Sequence, residues 1–302
     1  MNGSADGFGR LITAMVTPFD ENEELDYQQA GQLAQRLVKN GSDSLVVSGT
    51  TGESPTLSTE EKIRLFRTVR DAVEGQAKVI GGTTNYNTRE SIELTEEAAA
   101  YVDGYLLVVP YYNNPPQEGL YRHFRAIAES TDRPCILYNV PTRTVRNMEA
   151  STVVRLSEVP NIVGVKEASG DYEQIASIIS DTPGDFRVWS GNDQDTFSII
   201  CLGGHGVVSV ASHVVGRLIK QMIEAAANGD TAEGSRLHHH LLPIAKALFP
   251  PVSPVASPSA IKSALNLTGF NVGSLRLPLI ELPAEAQASL KALLDEYELD
   301  EG

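Results

Sequence analysis

The run Ile162-Val163-Gly164-Val165-Lys166-Glu167-Ala168 is apolar for most of its length but contains a single lysine. A short apolar run of this kind predicts a strand that is buried on both faces, as in a parallel sheet. Lysine is rarely buried unless a partner or a reaction requires it there. Removal from water favours the neutral amine, which is the form that attacks a ketone. Lys166 is therefore a candidate Schiff-base nucleophile; the alternative is a lysine that reaches solvent from the strand end.

Short apolar runs of the same kind recur along the whole chain. Counted with the lysine-bearing run there are eight, at residues 11–16, 44–48, 79–83, 105–109, 135–140, 162–166, 187–190 and 207–210. Polar segments with apolar residues at helical spacing separate most of them. This alternation predicts an α/β fold, and eight units are what a (β/α)8 TIM barrel needs. An open doubly wound sheet is the alternative, because alternation alone does not show that the sheet closes.

The pattern changes after residue 214. Four helical segments are predicted at residues 214–227, 231–248, 259–267 and 284–297, and the proline-rich residues 249–258 form a connector that cannot continue a helix. We therefore expect a (β/α)8 barrel with the active site in residues 1–229 and a C-terminal α-helical domain in residues 230–302.

The composition narrows the function classes. The 302 residues are 41% hydrophobic and carry a net charge of −15, which disfavours nucleic-acid binding because that requires clustered Lys and Arg. No apolar run approaches the roughly 18 residues that span a bilayer. The N-terminus lacks the basic and apolar regions of a signal peptide, so a cytoplasmic location is expected. Cys135 and Cys201 lie in apolar stretches, which predicts core packing rather than a disulfide or a metal site.

In barrels of this type the loops that follow the strands carry the chemistry. The second predicted strand leads into Gly49-Thr50-Thr51-Gly52-Glu53-Ser54. The backbone N–H groups and hydroxyls of this turn suit a small carboxylate. A phosphate loop is disfavoured because the turn contains no lysine. An ordinary strand-to-helix turn is the alternative.

The fifth predicted strand ends in Tyr138-Asn139-Val140-Pro141-Thr142-Arg143. Tyr138 lies one strand before Lys166, and adjacent strands are about 4.8 Å apart, so its phenol can reach the amine. A phenol linked to a threonine hydroxyl can move protons during Schiff-base chemistry. Arg143 can bind a substrate carboxylate through two guanidinium nitrogens. The alternatives are a tyrosine that only packs and a solvated arginine.

Five motifs, in the same order and spacing, resemble those of the dihydrodipicolinate synthase family. They are Gly49-Thr50-Thr51-Gly52-Glu53, Tyr111-Tyr112-Asn113, Tyr138-Asn139-Val140-Pro141-Thr142-Arg143, Gly164-Val165-Lys166-Glu167-Ala168 and Gly203-Gly204-His205-Gly206-Val207-Val208-Ser209. The resemblance spans nearly the whole chain. It implies a (β/α)8 barrel with C-terminal helices, assembled as a homotetramer of two tight dimers, that acts without a metal or an organic cofactor.

The resemblance also implies a reaction. Lys166 would form an imine with pyruvate, and the derived enamine would add to the aldehyde of L-aspartate 4-semialdehyde. The product would be 4-hydroxy-tetrahydrodipicolinate, a precursor of lysine and diaminopimelate. Tyr138, Thr50 and Tyr112 would relay protons, with Tyr112 supplied across the tight-dimer interface.

The resemblance further implies how the substrates are bound. Thr51, together with Thr50, would hold the pyruvate carboxylate. Arg143 would bind the carboxylate of the semialdehyde. Gly191 and Val208 would offer backbone carbonyl groups near the substrate.

Related enzymes on the same barrel use the same pyruvate imine with other aldehydes; they include N-acetylneuraminate lyase and the 2-keto-3-deoxy-sugar-acid aldolases. Arg143 favours a short aldehyde that bears a carboxylate, and so favours the synthase. A catalytically silent paralogue that binds a keto acid is a third alternative. The presence of both Lys166 and Tyr138 argues against it.

The chain departs from the family pattern at a few positions. Members inhibited by lysine tend to carry His at the position of Thr59, His or Glu at that of Lys62, and Asn at that of Tyr86. A cationic Lys62 would repel the ammonium of lysine and Tyr86 would fill space, so weak or absent lysine feedback is expected. Val145 stands where many members have glycine, so the loop that aims Arg143 is expected to differ in shape.

Overall fold

The computed structural model describes residues 5–249 and 257–300. Within them, eight parallel strands form a closed barrel in chain order. They are β1 (Leu11–Ala14), β2 (Ser44–Val47), β3 (Lys78–Gly82), β4 (Gly104–Val108), β5 (Cys135–Asn139), β6 (Ile162–Glu167), β7 (Arg187–Ser190) and β8 (Gly206–Ser209). Leu11 of β1 pairs with Val207 of β8, which excludes an open sheet. The predicted (β/α)8 barrel is confirmed.

Helices connect the strands and continue after the last one. They are α1 (Tyr27–Lys39), α2 (Thr59–Val73), α3 (Thr88–Ala98), α4 (Gln117–Ala128), α5 (Pro141–Thr144), α6 (Ala150–Leu156), α7 (Tyr172–Asp181), α8 (Thr196–Cys201), α9 (Ser212–Ala227), α10 (Thr231–Leu248), α11 (Ser259–Leu267) and α12 (Ala284–Leu294). Short 3-10 helices cover Ala5–Phe8, Ser54–Thr56 and Asp193–Asp195.

Helix α2 shows why the elements begin where they do. The Ser58 hydroxyl accepts a hydrogen bond from the N–H of Glu61, and the Glu61 carboxylate accepts one from the N–H of Ser58. This reciprocal pair satisfies two N–H groups that have no partner inside the helix. The cap therefore fixes the start of α2 shortly after the turn that contains Thr50 and Thr51.

The core of the molecule fills the barrel and the layer between strands and helices. Every residue of β1, β2, β5 and β6 is buried, as expected for parallel strands covered on both faces. At Gly164 a Cβ atom would come within 2.3 Å of the Arg187 carbonyl oxygen and 2.6 Å of the Trp189 ring. Only glycine fits there. Because it has no side chain, β6 can lie close against β7, and β6 is the strand that carries Lys166.

The C-terminal helices occur where the sequence predicts them, except that α9 begins at Ser212 and α12 ends at Leu294. The N–H groups of Glu296 and Tyr297 bond to carbonyls three residues earlier, so the chain tightens into turns there. Residues 250–256 of the predicted connector lie outside the described residues. The division into two domains at residue 229 stays a prediction.

The two cysteines differ in their surroundings. Cys135 is buried in β5, and burial raises the pKa of its thiol to about 12. Cys201 is exposed, so the prediction that it packs in the core is wrong. Its apolar stretch forms α8, and a helix on the outside of a barrel keeps one face in solvent. Among the described residues no helix is both long and apolar enough to cross a bilayer, and no three potential metal-binding side chains are grouped together.

Candidate active site

The amine of Lys166 lies against the aromatic ring of Tyr138. The two residues are direct partners across β5 and β6, and the Lys166 Nζ atom is 4.1 Å from the ring centroid. Each residue is only 5% exposed. The contact places the amine against the face of the ring that carries the Tyr138 hydroxyl.

A cavity of about 190 Å³ opens at the carboxyl ends of β2 to β5. Thr50, Tyr138 and Arg143 contribute to its lining, whereas Lys166 and Thr51 do not. This volume is below the roughly 300–1,000 Å³ of pockets for drug-sized ligands, so the cavity suits a small substrate. It lies on the face of the barrel where catalysis takes place in this architecture.

The turn that contains Thr50 and Thr51 is compact. The N–H of Glu53 donates to the Thr50 carbonyl (3.1 Å), and the Thr17 hydroxyl donates to the Gly52 carbonyl (2.7 Å). Glu53 has a φ of 56°, a left-handed conformation that is uncommon for residues other than glycine. Thr50 is half-buried and Thr51 is buried. Within this turn, Thr50 therefore lines the cavity, whereas Thr51 is buried and does not line it.

Arg143 lies in α5, which begins directly after β5. Its side chain is exposed, and Nη2 donates to the carbonyl of Ser257 at 3.4 Å. Val145 closes this short helix with a φ of 63°. Left-handed backbone is strained for a β-branched residue and free of strain for glycine. Val145 therefore has a strained backbone at the end of the helix that carries Arg143. That the loop differs in shape from the loop of the family stays a prediction.

Tyr112 projects away from its own chain. It is 93% exposed, has a φ of 73° and does not line the cavity. The preceding residue, Tyr111, lines the cavity instead and packs edge-on against Tyr86, with 5.3 Å between ring centroids. Burial raises the pKa of Tyr111. In a single chain, therefore, Tyr112 is not brought together with Lys166.

Gly191 and Val208 belong to the part of the barrel formed by β7 and β8. Gly191 directly follows β7, and its N–H donates to the Glu167 carbonyl at 2.7 Å. Val208 is buried within β8 and pairs with Ile12 of β1. Neither residue lines the cavity. Gly191 is thus tied to the end of the strand that carries Lys166.

Asp193, which the sequence did not single out, is a buried acid close to the site. Its carboxylate accepts hydrogen bonds from the Ser209 hydroxyl (2.5 Å) and from the N–H groups of Val210 and Ala211 (3.0 Å each). Burial raises the pKa of Asp193, while these hydrogen bonds and the charge of Lys166 lower it. In the sequence Asp193 is only an acidic residue two positions after Gly191. The sequence alone does not distinguish a buried acid at such a position from one that is exposed to solvent.

Asn139 and Glu167 form a second buried cluster that the sequence did not reveal. They follow Tyr138 and Lys166 along their strands and are themselves direct partners. The Asn139 side-chain nitrogen donates to both Glu167 carboxylate oxygens at 3.1 Å, and the Asn139 side-chain oxygen accepts from the N–H of Met148. Burial raises the pKa of Glu167. The pair ties the loop after β5 to the end of β6.

Known proteins resemble this chain along nearly its whole length. Residues 7–297 match the model of the dihydrodipicolinate synthetase family. The chain belongs to that family. A 4-hydroxy-tetrahydrodipicolinate synthase of Symbiobacterium thermophilum is 55% identical to it over 291 residues, which are 96% of this chain and 98% of the relative.

Solved dihydrodipicolinate synthetase structures have the same fold. That of the dihydrodipicolinate synthase of Bacillus anthracis superposes with a TM-score of 0.92 at 45% identity, covering 96% of this chain and 98% of that one. The enzyme of Cyanidioschyzon merolae, solved with lysine bound, gives a TM-score of 0.92 at 47% identity, with 95% and 97% covered. The resemblance carried by the five motifs is therefore confirmed.

Proposed function

We propose that this chain condenses pyruvate with L-aspartate 4-semialdehyde to give 4-hydroxy-tetrahydrodipicolinate and water. The observation that carries the proposal is the buried Lys166 amine, 4.1 Å from the centre of the Tyr138 ring, beside a small cavity that Tyr138 and Arg143 line. Relatives with this name, which match nearly the full length of the chain, support it. A cytoplasmic location belongs to the same proposal.

The neutral amine of Lys166 attacks the ketone carbon of pyruvate, and the carbinolamine loses its hydroxyl as water to leave an imine. Loss of a proton from the former methyl group gives the enamine. The enamine carbon then forms a bond to the aldehyde carbon of the semialdehyde, whose oxygen takes up a proton. Finally the substrate's own amine displaces Lys166 and closes the six-membered ring.

Each of these steps moves a proton, and we assign that role to Tyr138. Its ring is in contact with the Lys166 amine, and both Tyr138 and Thr50 line the cavity. We assign Tyr112 to the same relay in the site of a neighbouring subunit. Its 93% exposure suits a side chain that another subunit covers. The functional unit would then be a dimer, and we propose a homotetramer of two such dimers.

The carboxylates of the two substrates need separate partners. We assign the pyruvate carboxylate to Thr50 and Thr51, and that of the semialdehyde to Arg143, whose exposed guanidinium lines the cavity. A guanidinium binds a carboxylate through two parallel hydrogen bonds. Gly191 and Val208 would offer their carbonyl groups to the bound intermediate.

Borohydride reduction in the presence of pyruvate tests the nucleophile. We expect the adduct on the peptide that contains Lys166, its loss in Lys166→Ala, and unchanged labelling in Lys246→Arg, where the lysine is exposed. Label on Lys262, the other buried lysine, would contradict the mechanism. Turnover is then compared between aspartate semialdehyde and sugar-acid substrates. Turnover of sugar acids alone would keep the imine mechanism but assign the chain to the aldolases.

A further inference from the structure

Lys262 is a second fully buried lysine, and it lies on α11, far from Lys166 in the sequence. It is 1% exposed, and its amine forms an ion pair with the Glu53 carboxylate at 2.7 Å. The amine also donates to the Ser274 carbonyl (2.6 Å) and lies 4.2 Å from the centroid of the Phe19 ring. Burial lowers the pKa of Lys262 to about 8, and the charge of Glu53 acts in the opposite direction. This amine is thus occupied by fixed partners.

Glu53 connects this ion pair to the turn at the cavity. Its backbone N–H donates to the Thr50 carbonyl, and its side chain is fully buried. One carboxylate oxygen contacts Lys262, and the other accepts the N–H of Arg276 at 3.0 Å. Both contacts come from the C-terminal part of the chain. The carboxylate that anchors the turn is therefore held by residues more than 200 positions away.

The backbone of Glu53 needs such an anchor. Its left-handed conformation is strained for a residue other than glycine, and it persists only where the surroundings enforce it. The buried ion pair and the Arg276 N–H supply that constraint. Loss of the ion pair would release the turn toward ordinary backbone conformations and move the Thr50 hydroxyl.

Arg276 secures the neighbouring segment in the same way. Its guanidinium contacts both carboxylate oxygens of Glu61, at 2.6 and 2.9 Å, and donates to the Thr56 carbonyl at 3.1 Å. The Glu61 carboxylate also accepts the N–H of Ser58 in the reciprocal pair that caps α2. The whole segment from Glu53 to the first turn of α2 is thus attached to the chain between α11 and α12.

We propose that Glu53 and Lys262 are positioning residues that hold the Thr50–Thr51 turn in the geometry that binds the pyruvate carboxylate. The C-terminal helices are then part of the pyruvate site, although the described residues that line the cavity all come from the barrel. The inference rests on the proposed function, because it concerns how that site binds pyruvate.

The test uses the full chain with Glu53→Gln and Lys262→Met combined. The double variant leaves no unpaired buried charge, whereas loss of one partner alone would leave such a charge and strongly destabilise the fold. We expect the KM for pyruvate to rise about 10-fold or more, with the KM for aspartate semialdehyde changed less than about 2-fold. Glu53→Asp, which keeps both charges but shortens the anchor, should show the same selective effect.

The control is the ion pair between Asp43 and Lys220, which has a similar separation of 2.8 Å but is partly exposed and lies on the opposite end of the barrel. Like Glu53, Asp43 also accepts backbone N–H groups, those of Arg10 and Leu11. The double variant Asp43→Asn with Lys220→Met should lose stability without a selective change in the KM for pyruvate. A selective change in this control would overturn the inference.

Two further outcomes would overturn the inference. The first is an unchanged KM for pyruvate in both folded Glu53 variants. The second is an equal rise in the KM for both substrates, which indicates that the whole active site has become less ordered. In each case the proposed function still stands if borohydride and pyruvate label the wild-type protein. If wild-type protein is not labelled, the proposed function fails, and this inference fails with it.

Discussion

Tyr138 and Lys166 face each other across two adjacent strands, and the aromatic ring of the first covers the amine of the second at 4.1 Å. Both side chains are held by a fully buried strand pair, so neither can move far without disturbing the barrel. Strand ends of a closed barrel are rigid supports, and the proposed mechanism needs such support for Lys166 and Tyr138.

The hydroxyl of Tyr138 can be removed while its ring is kept. We expect Tyr138→Phe to slow formation of the pyruvate imine about 100-fold, within the range of general acid–base catalysis. The free energy of unfolding should change by less than about 1 kcal/mol because the ring still packs on Lys166. Stopped-flow measurement of imine formation and chemical denaturation check the two parts. Tyr297→Phe, whose hydroxyl bonds to the His240 carbonyl on the surface, is the control.

Arg143 should act only on the second substrate. In Arg143→Ala we expect the KM for aspartate semialdehyde to rise at least about 10-fold, because a charged hydrogen-bonded pair is lost. Borohydride labelling with pyruvate should be unchanged, since in the proposed mechanism the imine forms before the semialdehyde binds. Steady-state kinetics with each substrate varied separately distinguish the two effects. A fall in pyruvate labelling would instead place Arg143 in the first half-reaction.

The role of Tyr112 can be tested by mixing two inactive chains. A Tyr112→Phe chain keeps its own Lys166, and a Lys166→Ala chain keeps its own Tyr112. If Tyr112 acts in the site of a neighbouring subunit, dissociation and reassembly of the mixture should restore activity. Tyr111→Phe mixed with Lys166→Ala is the comparison, because Tyr111 lines the cavity of its own chain. Failure of the first mixture to recover activity, despite assembly of mixed oligomers, would contradict the assignment.

His213 should make the fold sensitive to acid. Burial lowers its pKa to about 4 from an ordinary value of 6.5, and its Nε2 atom accepts the N–H of Val16, which only an unprotonated Nε2 can do. Between pH 6.5 and 4 the unfolded chain binds a proton that the folded chain does not. The free energy of unfolding should therefore fall as the pH decreases through this range, by about 3 kcal/mol from this residue.

Chemical denaturation at a series of pH values checks this prediction. The slope between pH 4 and 6.5 should flatten in His213→Gln and stay unchanged in His239→Gln, where the histidine is exposed. Burial also lowers the pKa of His123 to about 4. This residue should account for part of the slope that remains in His213→Gln. An equal slope in wild type and His213→Gln would exclude His213 as a source.

Lysine should inhibit this protein weakly or not at all. Tyr86 packs against Tyr111 beside the cavity, and Lys62 adds a basic group in the first turns of α2. Inhibition assays at millimolar lysine, with the Cyanidioschyzon merolae enzyme as the lysine-binding comparison, check this expectation. The variant Lys62→His with Tyr86→Asn should gain sensitivity. Half-inhibition of the wild type by submillimolar lysine would contradict the prediction.

Local patterns predicted much of the structure. Strand positions follow from short apolar runs, because each run depends on neighbours within a few residues. The same local reasoning was wrong for Cys201, since an apolar stretch does not reveal which face of a helix meets solvent. Asp193 and the Asn139–Glu167 pair also escaped it, because their partners come from other strands.

The sequence by itself determined the eight strand–helix units, the candidate nucleophile and the order of the motifs, since these are properties of spacing along one chain. Only the tertiary structure decided that the sheet closes, that Tyr138 covers Lys166, and that Glu53 is held by Lys262. The physical reason is the same in each case. Two side chains interact according to their distance in space, and folding sets that distance by packing the whole chain.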